Sequence, residues 1–306
     1  MPLMKANGVD IEVETHGDPQ NPTVLLIMGL AAQLTHWPDA FIKDLVAEGY
    51  HVVAFDNRDI GLSQKLHTKR APQPATHALV ARLFRPAAIA PYTLVDMARD
   101  EVGVLDALEV DQAHVVGVSM GGMIGQVMAA LHKTRVASFT AIMSTTNNPK
   151  LPKPDPALLR EIFTTRTRPR TRDDLIDRTV ALWNMIGTPD GGRDPDEFRE
   201  HIAAAVDRCT YPAGVRRQIA AIISTGDLRR YARRVTAPTI VIHGTIDPLT
   251  PMQGGLDIAA NVPGAKAHLI EGMGHDLPPK HLPEATRFLI DHLRSVEETG
   301  AAEAAA

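Results

Sequence analysis

Residues 114–122 read HVVGVSMGG. The apolar, β-branched start of this stretch predicts a buried strand, and the glycines at its end predict a sharp turn into a helix. Between the two lies G-x-S-x-G at 117–121, a pattern in which a serine is exposed at a strand-to-helix turn. Ser119 is therefore a candidate nucleophile, although a glycine-rich turn with an incidental serine has the same pattern.

Short β-branched runs alternate with longer helical patterns on both sides of this stretch. The runs lie at 24–28, 51–55, 114–118, 139–143, 239–243 and 267–270. Patterns with apolar residues three and four apart lie at 40–48, 92–108, 121–132 and 283–296. Such alternation is typical of a mainly parallel sheet covered by helices on both faces, so we predict an α/β fold.

This alternation stops in the segment 147–235. The segment contains no strand-like run but four helical patterns, at 156–165, 172–186, 194–208 and 211–225. We predict a core of residues 1–146 and 236–297, into which 147–235 is inserted as an all-helical subdomain. We also expect a long loop at 65–91 to border the mouth of the site, and a disordered tail at 298–306, where the alanines have little to pack against.

Composition and charge exclude several classes of protein. A net charge of -4 over 306 residues offers no basic surface for nucleic acid. The single cysteine, Cys209, can form neither an intrachain disulfide nor a thiolate cluster around zinc. The longest apolar run, 24–32, is about half of the ~20 residues that a membrane helix needs, and residues 1–8 lack the features of a secretion signal. We therefore expect a cytoplasmic protein without a membrane segment.

Metal and nucleotide motifs are also missing from the sequence. It has no H-E-x-x-H pattern, no G-x-G-x-x-G after a strand and no P-loop lysine. We therefore predict chemistry that uses no cofactor and no metal.

Two residues follow Ser119 in the chain order that such a nucleophile requires, first an acid and then a histidine. Asp247 and His275 each come after a strand-like run, so both should emerge at the carboxyl edge of the sheet, where α/β sheets bind ligands. His243, which ends a run at the same edge, is an alternative base. An extended backbone would turn Asp276 away from the neighbouring histidine, which indicates a surface or capping residue.

A serine nucleophile also needs two N–H groups that bind the oxyanion of the reaction intermediate. Met120, directly after Ser119, should supply one. The other should come from the loop after the run at 24–28, and we expect it to be the N–H of Leu30. Gly29 would let the backbone turn in there, or it is a plain glycine at a strand end.

These residues resemble the α/β-hydrolase superfamily over nearly the whole chain. The stretch FDNRDIGLS at 55–63 is similar to the family's D-x-R-x-x-G-x-S turn, and HWP at 36–38 is similar to esterases of the aclacinomycin methylesterase type. Met28 stands where many members have a histidine, and the methylesterase-like group also has methionine there. The resemblance implies an α/β-hydrolase fold with a helical cap at 147–235 and a serine esterase activity.

We therefore predict a serine carboxylic ester hydrolase that forms an acyl-enzyme on a small to medium apolar ester. Apolar side chains that are either pocket lining or core filler are Met28, Met123, Trp183, Met185 and Leu249. The alternatives are other chemistry on the same triad or a ligand receptor without catalysis. The other chemistry includes a methylesterase acting on a specialised metabolite, thioester or carbon–carbon hydrolysis, and perhydrolysis. The sequence does not decide between a monomer and a homodimer.

Overall fold

The structure is a computed structural model that describes residues 3–69, 90–156, 158–159 and 169–304, with only the backbone of 301–304. Two predicted features fall largely outside these residues, the mouth loop at 65–91 and the first helix of the insert at 156–165. Within the described residues, seven strands form one sheet with helices on both of its faces. The predicted α/β fold is therefore confirmed.

Strands and helices alternate along the chain as the sequence predicts. The described strands are β1 (Met4–Ala6), β2 (Val9–Ile11), β3 (Val13–His16), β4 (Thr23–Ile27), β5 (His51–Phe55), β6 (Ala113–Val118), β7 (Val136–Ile142), β8 (Thr239–Gly244) and β9 (Lys266–Ile270). The described helices are α1 (Asp39–Ala47), α2 (Leu94–Ala107), α3 (Met120–Leu131), α4 (Arg172–Ile186), α5 (Pro195–Arg208), α6 (Pro212–Thr225), α7 (Arg229–Ala232), α8 (Gln253–Asn261) and α9 (Leu282–Ala304). Of these helices, the sequence patterns did not predict α7 and α8.

The main sheet has the strand order β3-β5-β4-β6-β7-β8-β9. Among its described strands only β3 pairs antiparallel, while β1 and β2 form a separate hairpin. The chain passes from β4 to β5 on one side and then crosses back to β6 on the other, so the loops after β4 and β6 leave the sheet side by side. Ile27 of β4 lies opposite Gly117 of β6 at this point. Ligands bind at such a reversal of strand order in open α/β sheets.

The strands place their side chains alternately into two apolar layers. Leu25 and Ile27 of β4 belong to the layer that contains α2, α3 and α8, whereas Val24 and Leu26 belong to the layer that contains α1 and α9. All residues of β4 and β5 are buried, which explains why their sequences show no alternation of apolar and polar residues. Packing on both faces makes these strands rigid supports for the loops at their carboxyl ends.

The segment 147–235, which we call the insert, lies between β7 and β8 and contains α4 to α7, with no strand among its described residues. Thr171 caps α4 by accepting a hydrogen bond from the N–H of Asp174, and Asp194 caps α5 ahead of a proline at its first position. These start signals explain why the predicted starts at 172 and 194 lie so close to those in the structure. The division of the chain into a core and a cap domain stays a prediction.

The prediction of a disordered tail at 298–306 is wrong for residues 298–304, because α9 continues to Ala304. Residues 305 and 306 lie outside the described residues. The first half of α9 buries Leu289 and Leu293 in the core, and Glu297 accepts a hydrogen bond of 2.7 Å from Nε2 of His114. A helix anchored in this way continues into alanine and glutamate, which are good helix formers. None of the described helices, α9 included, is both long and apolar enough to cross a membrane.

Candidate active site

The loops after β4 and β6 touch at the carboxyl edge of the sheet. A Cβ atom added to Gly29 would lie 3.2 Å from Cβ of Ser119 and 3.4 Å from the carbonyl oxygen of Val118. The 3.2 Å separation is tighter than ordinary van der Waals contact, so a side chain at position 29 would require Ser119 or the loop to shift by a few tenths of an ångström. Gly29 is therefore more than a strand-end glycine.

The turn that carries Ser119 is strained and tightly packed. Ser119 has φ 54° and ψ -116°, a conformation that residues with a side chain rarely adopt. A Cβ at Gly121 would lie 2.0 Å from the carbonyl oxygen of Ile27, and one at Gly117 would lie 2.4 Å from the backbone of Gly121. The small residues of the G-x-S-x-G stretch are thus required by the close approach of β4, β6 and α3.

The three residues of the predicted triad lie together. Nε2 of His275 is 3.1 Å from Oγ of Ser119, and Nδ1 of His275 is 2.6 Å from Oδ2 of Asp247. His275 and Asp247 are each only 5% exposed. Asp247 follows β8 and His275 follows β9, so neighbouring parallel strands bring both side chains to the edge where Ser119 lies.

Asp247 is held as a carboxylate by several donors. Its Oδ1 accepts hydrogen bonds from the N–H groups of Leu249 and Thr250, at 2.9 and 2.7 Å. Burial alone would raise the pKa of Asp247. The charge of the nearby His275 imidazole opposes this effect, as do hydrogen bonds from His243, His275 and the N–H of Thr250. Together they lower the pKa of Asp247 to about 2. The carboxylate is therefore ionised at neutral pH.

His243, the alternative base, lies next to the acid. Its Nε2 donates to the carbonyl oxygen of Thr250 at 2.8 Å and is 3.4 Å from Oδ2 of Asp247. The side chain is fully buried, and its Nδ1 has no hydrogen-bond partner among the described residues. His275 thus lies beside Ser119, whereas His243 contacts the carboxylate of Asp247.

The two predicted oxyanion donors are free backbone groups. Among the described residues, the N–H groups of Leu30 and Met120 have no hydrogen-bond acceptor. The next N–H along the loop, that of Ala31, donates to Oε1 of Gln218 in α6 at 3.1 Å, and Nε2 of Gln218 donates to the carbonyl oxygen of Arg58. The insert therefore helps to hold the loop that contains Leu30.

The turn at 56–63 links the same loop to the insert. Asp56 accepts hydrogen bonds from the N–H groups of Leu34 and Leu62, both at 2.8 Å, and from Nη1 of Arg208 in α5 at 2.6 Å. Arg208 also donates to Oε1 of Gln33 at 2.8 Å. The sequence motif indicated the turn, but nothing in it indicated that an arginine 152 residues away completes it.

The predicted apolar lining residues differ in burial. Met28 and Met123 are buried, Trp183 and Leu249 are partly buried, and Met185 is 45% exposed. The Trp183 ring of α4 stacks on His36 from the core, with ring centroids 5.8 Å apart. Burial, followed by the nearby His201, lowers the pKa of His36 to about 4, so this imidazole is neutral at neutral pH.

Asp276 is not the surface or capping residue that the sequence predicts. It is only 7% exposed, and its Oδ1 accepts hydrogen bonds from the N–H and the hydroxyl of Thr188 at 2.9 and 2.6 Å. Its Oδ2 forms an ion pair with Arg193. The Asp276 side chain does turn away from the triad, but it turns into the insert, whose position the local sequence does not reveal.

Other buried carboxylates near the site are paired with arginines. Asp59 pairs with Arg217 at 2.6 Å, and Asp100 with Arg58 at 2.5 Å, with all four side chains at least nine-tenths buried. Within the described part of the chain, no group of three or more His, Cys, Asp or Glu side chains is arranged to hold a metal ion. These two ion pairs thus link the turn at 56–63 to α2 and α6.

Comparison with known proteins identifies the family. The alpha/beta hydrolase fold family matches residues 22–281. The chain is 29% identical to the rhodomycin D methylesterase DnrP of Streptomyces peucetius over an alignment of 282 residues. This alignment covers 86% of this chain and 87% of that protein. The enol-lactonase of Burkholderia xenovorans LB400 has a similar structure, with a TM-score of 0.73 at 23% identity over 96% of this chain and 100% of that chain. The meta-cleavage product hydrolase CumD of Pseudomonas fluorescens IP01 has a TM-score of 0.74 at 16% identity over 96% and 97% of the two chains. The chain therefore belongs to the alpha/beta hydrolase fold family, and it is a hydrolytic enzyme of the esterase class.

Proposed function

We propose that this enzyme hydrolyses carboxylic esters with Ser119 as the nucleophile, His275 as the general base and Asp247 as the acid of the triad. The observation that carries the proposal is the continuous path of short contacts from Ser119 Oγ through His275 to Asp247, at 3.1 and 2.6 Å. The strained turn at Ser119 also supports it, because the turn exposes the hydroxyl.

The first step forms an acyl-enzyme. The N–H at Nδ1 of His275 donates a hydrogen bond to the ionised Asp247, which leaves Nε2 as the nitrogen that accepts a proton from Ser119. As that proton moves to Nε2, Ser119 Oγ attacks the carbonyl carbon of the ester. The ionised Asp247 stabilises the imidazolium, which then donates its proton to the leaving alcohol when the bond between the carbonyl carbon and the alcohol oxygen breaks.

Negative charge on the carbonyl oxygen is bound by the N–H groups of Leu30 and Met120. Met120 opens α3, so the positive end of the helix dipole adds to the stabilisation. In the second step, water loses a proton to His275 and attacks the acyl carbon. The bond between this carbon and Ser119 Oγ then breaks, and His275 returns its proton to Oγ. The carboxylic acid is released and the Ser119 hydroxyl is restored. Removing one such donor costs about 100- to 1000-fold in kcat in serine hydrolases.

The substrate we propose is a small to medium apolar ester bound between the core and the insert, which would act as a cap. Support comes from the contact of the insert with the segment that follows β4, because Trp183 stacks on the core residue His36. Met28 and Met123 are buried at the same carboxyl edge. Methionine side chains are flexible and would fit acyl groups of different shapes.

A methyl ester of a larger specialised metabolite is the second candidate. The likeness to rhodomycin D methylesterase, at 29% identity over most of both chains, favours it. The leaving group would then be methanol, and the large acyl part would have to lie between the core and the insert. Methyl and butyl esters of one bulky aromatic acid distinguish the candidates, because a methylesterase should prefer the methyl ester.

The experiment that tests the proposal is hydrolysis of p-nitrophenyl esters from acetate to long acyl chains. We expect an optimum in chain length for the native protein and a loss of at least about 1000-fold in kcat for Ser119→Ala. Ser138→Ala is the matched control, because it is the same substitution but lies near the amino end of β7, and it should retain turnover.

Labelling by an organophosphonate adds an independent result. Native protein that is labelled at Ser119 but turns over no ester would point to a specialised substrate or to a ligand receptor. Full turnover by Ser119→Ala would refute the proposed nucleophile.

A further inference from the structure

The loop that carries His275 is bound to the insert by backbone hydrogen bonds. The N–H of His275 itself donates to the carbonyl oxygen of Ile186, the last residue of α4, at 2.8 Å. Five residues further on, the N–H of Lys280 donates to the carbonyl oxygen of Gly191 at 3.0 Å. The segment 186–193 of the insert thus runs along the whole loop, and it contacts the candidate base directly.

Thr188 lies at the centre of this contact. Its hydroxyl oxygen accepts a hydrogen bond from the N–H of Gly274 at 2.8 Å and donates its proton to Oδ1 of Asp276 at 2.6 Å. Its backbone N–H donates to the same Oδ1 at 2.9 Å. One side chain therefore holds the residue before His275 and the residue after it, and it is itself only 8% exposed.

The two segments are also in close van der Waals contact. A Cβ at Gly274 would lie 2.6 Å from the backbone of Gly187, and a Cβ at Gly191 would lie 2.7 Å from Cβ of Pro278. The Asp276 carboxylate is neutralised by its ion pair with Arg193 in the same segment. The His275 loop therefore has little room to move unless segment 186–193 moves with it.

We propose that Thr188 is a positioning residue for the general base, so that the seating of segment 186–193 on the core sets where the His275 imidazole lies relative to Ser119. This inference rests on the proposed function of the triad. Thr188 makes its side-chain hydrogen bonds to Gly274 and Asp276, on either side of His275, and none to the triad side chains among the described residues. It acts through the backbone on both sides of the base.

The expected signature is a change in kcat without a matching change in KM. Thr188→Val keeps the shape of the side chain but removes both hydroxyl hydrogen bonds, and it leaves the N–H of Gly274 buried without a partner. A misplacement of about 1 Å can cost about 100-fold in rate, so we expect kcat to fall about 10- to 100-fold while KM changes less than about twofold. Thr188→Ser keeps the hydroxyl and should restore kcat to within about threefold of the native value.

The experiment measures kcat, KM, thermal midpoint and the rate of organophosphonate labelling of Ser119 in each full-length variant. Thr239→Val is the matched control, because its hydroxyl is also buried and hydrogen-bonded but lies at the amino end of β8. We expect it to lower the midpoint without lowering kcat. The labelling rate should fall with kcat in Thr188→Val, because labelling needs the base but not the substrate.

Asp276→Asn is the second variant, in case Thr188→Val does not fold. It removes the charge that pairs with Arg193 but keeps an oxygen for Thr188, and we expect a smaller fall in kcat than in Thr188→Val. Native kcat and labelling rate in Thr188→Val, or equal losses in the Val and Ser variants, would overturn the positioning role. Full turnover by Ser119→Ala would instead refute the proposed function, so the two failures can be told apart.

Discussion

Glu101 offers the sharpest test of the structure away from the site. It lies in α2, is fully buried, and neither of its carboxyl oxygens has a hydrogen-bond partner among the described residues. Burial, and then the neighbouring Asp100, raise the pKa of Glu101 well above its ordinary value. The group is therefore protonated in the folded protein under conditions in which it ionises in the unfolded chain.

The sign of the pH dependence follows from this difference. In the unfolded chain the Glu101 carboxyl has a pKa of about 4.3. Below this pH the carboxyl is neutral in both the folded and the unfolded state and has no effect on the pH dependence of stability. Above it, the unfolded chain releases a proton that the folded chain keeps, so native stability falls by about 1.4 kcal/mol per pH unit until the folded group ionises. Glu101→Gln cannot ionise, so its advantage over the native protein should be near zero at pH 4 and should grow as the pH rises.

Glu101→Met measures a second contribution to stability, the cost of burying carboxyl oxygens that have no hydrogen-bond partner. Removing two buried oxygens without partners should stabilise by about 1–3 kcal/mol even at pH 4, where Glu101→Gln brings no gain. With an unfolding entropy of about 2.1 cal/mol/K per residue, each kcal/mol corresponds to about 1.6 °C for 306 residues, so the midpoint should rise by about 2–5 °C.

Urea unfolding followed by tryptophan fluorescence between pH 4 and 8 measures these differences. Parallel stability curves for the native protein and Glu101→Gln would refute the reasoning, because the carboxyl would then ionise in the folded state as it does in water. A Met variant less stable than the Gln variant at every pH would show that the oxygens have partners after all.

Three further predictions concern the site and its supports. Because the pKa of Asp247 is about 2, protonation of this carboxylate should not contribute to the acid limb of kcat/KM above pH 4; an acid limb with the slope of two protons there would contradict the assignment. Gly121→Ala places a methyl group 2.0 Å from a carbonyl oxygen of β4, so kcat should fall at least about 100-fold and the free energy of unfolding by about 1–3 kcal/mol; a variant with native kcat would contradict the packing. Arg217→Met leaves Asp59 buried without its counter-charge and should cost about 3–5 kcal/mol in urea unfolding; the added substitution Asp59→Asn should recover most of the loss, and no recovery would contradict a direct pair.

The fold and the proximity of Ser119, Asp247 and His275 could be predicted from the sequence because their signals are local. Buried parallel strands appear as short continuous apolar runs, and parallel strands of one sheet all end at the same edge. A residue just after such a run, as Asp247 and His275 are, must therefore emerge near the turn that carries Ser119. The structure adds the distances, and it shows that His243 at the same edge contacts the acid.

The contacts with the insert could not be predicted in this way. The partner of Asp276 is Thr188, 88 residues earlier, and the partner of Asp56 is Arg208, 152 residues later. No spacing or motif in the sequence indicates either pair, because the pairing depends on how the insert lies on the core. The tail was mispredicted for a related reason: the hydrogen bond between Glu297 and His114 joins residues 183 positions apart.

These long-range contacts limit how the insert can change. It holds the loop that contains the proposed oxyanion donor Leu30 through Gln218 and Arg208, and it holds the loop that contains the proposed base His275 through Thr188. Substitutions that resize a pocket but leave these three side chains in place should alter KM and substrate preference. Substitutions that tilt α4, α5 or α6 on the core should also lower kcat, because they move a loop that carries one of the reacting groups. Substitutions can therefore change specificity without lowering the rate only in those parts of the insert that do not contact the loops after β4 and β9.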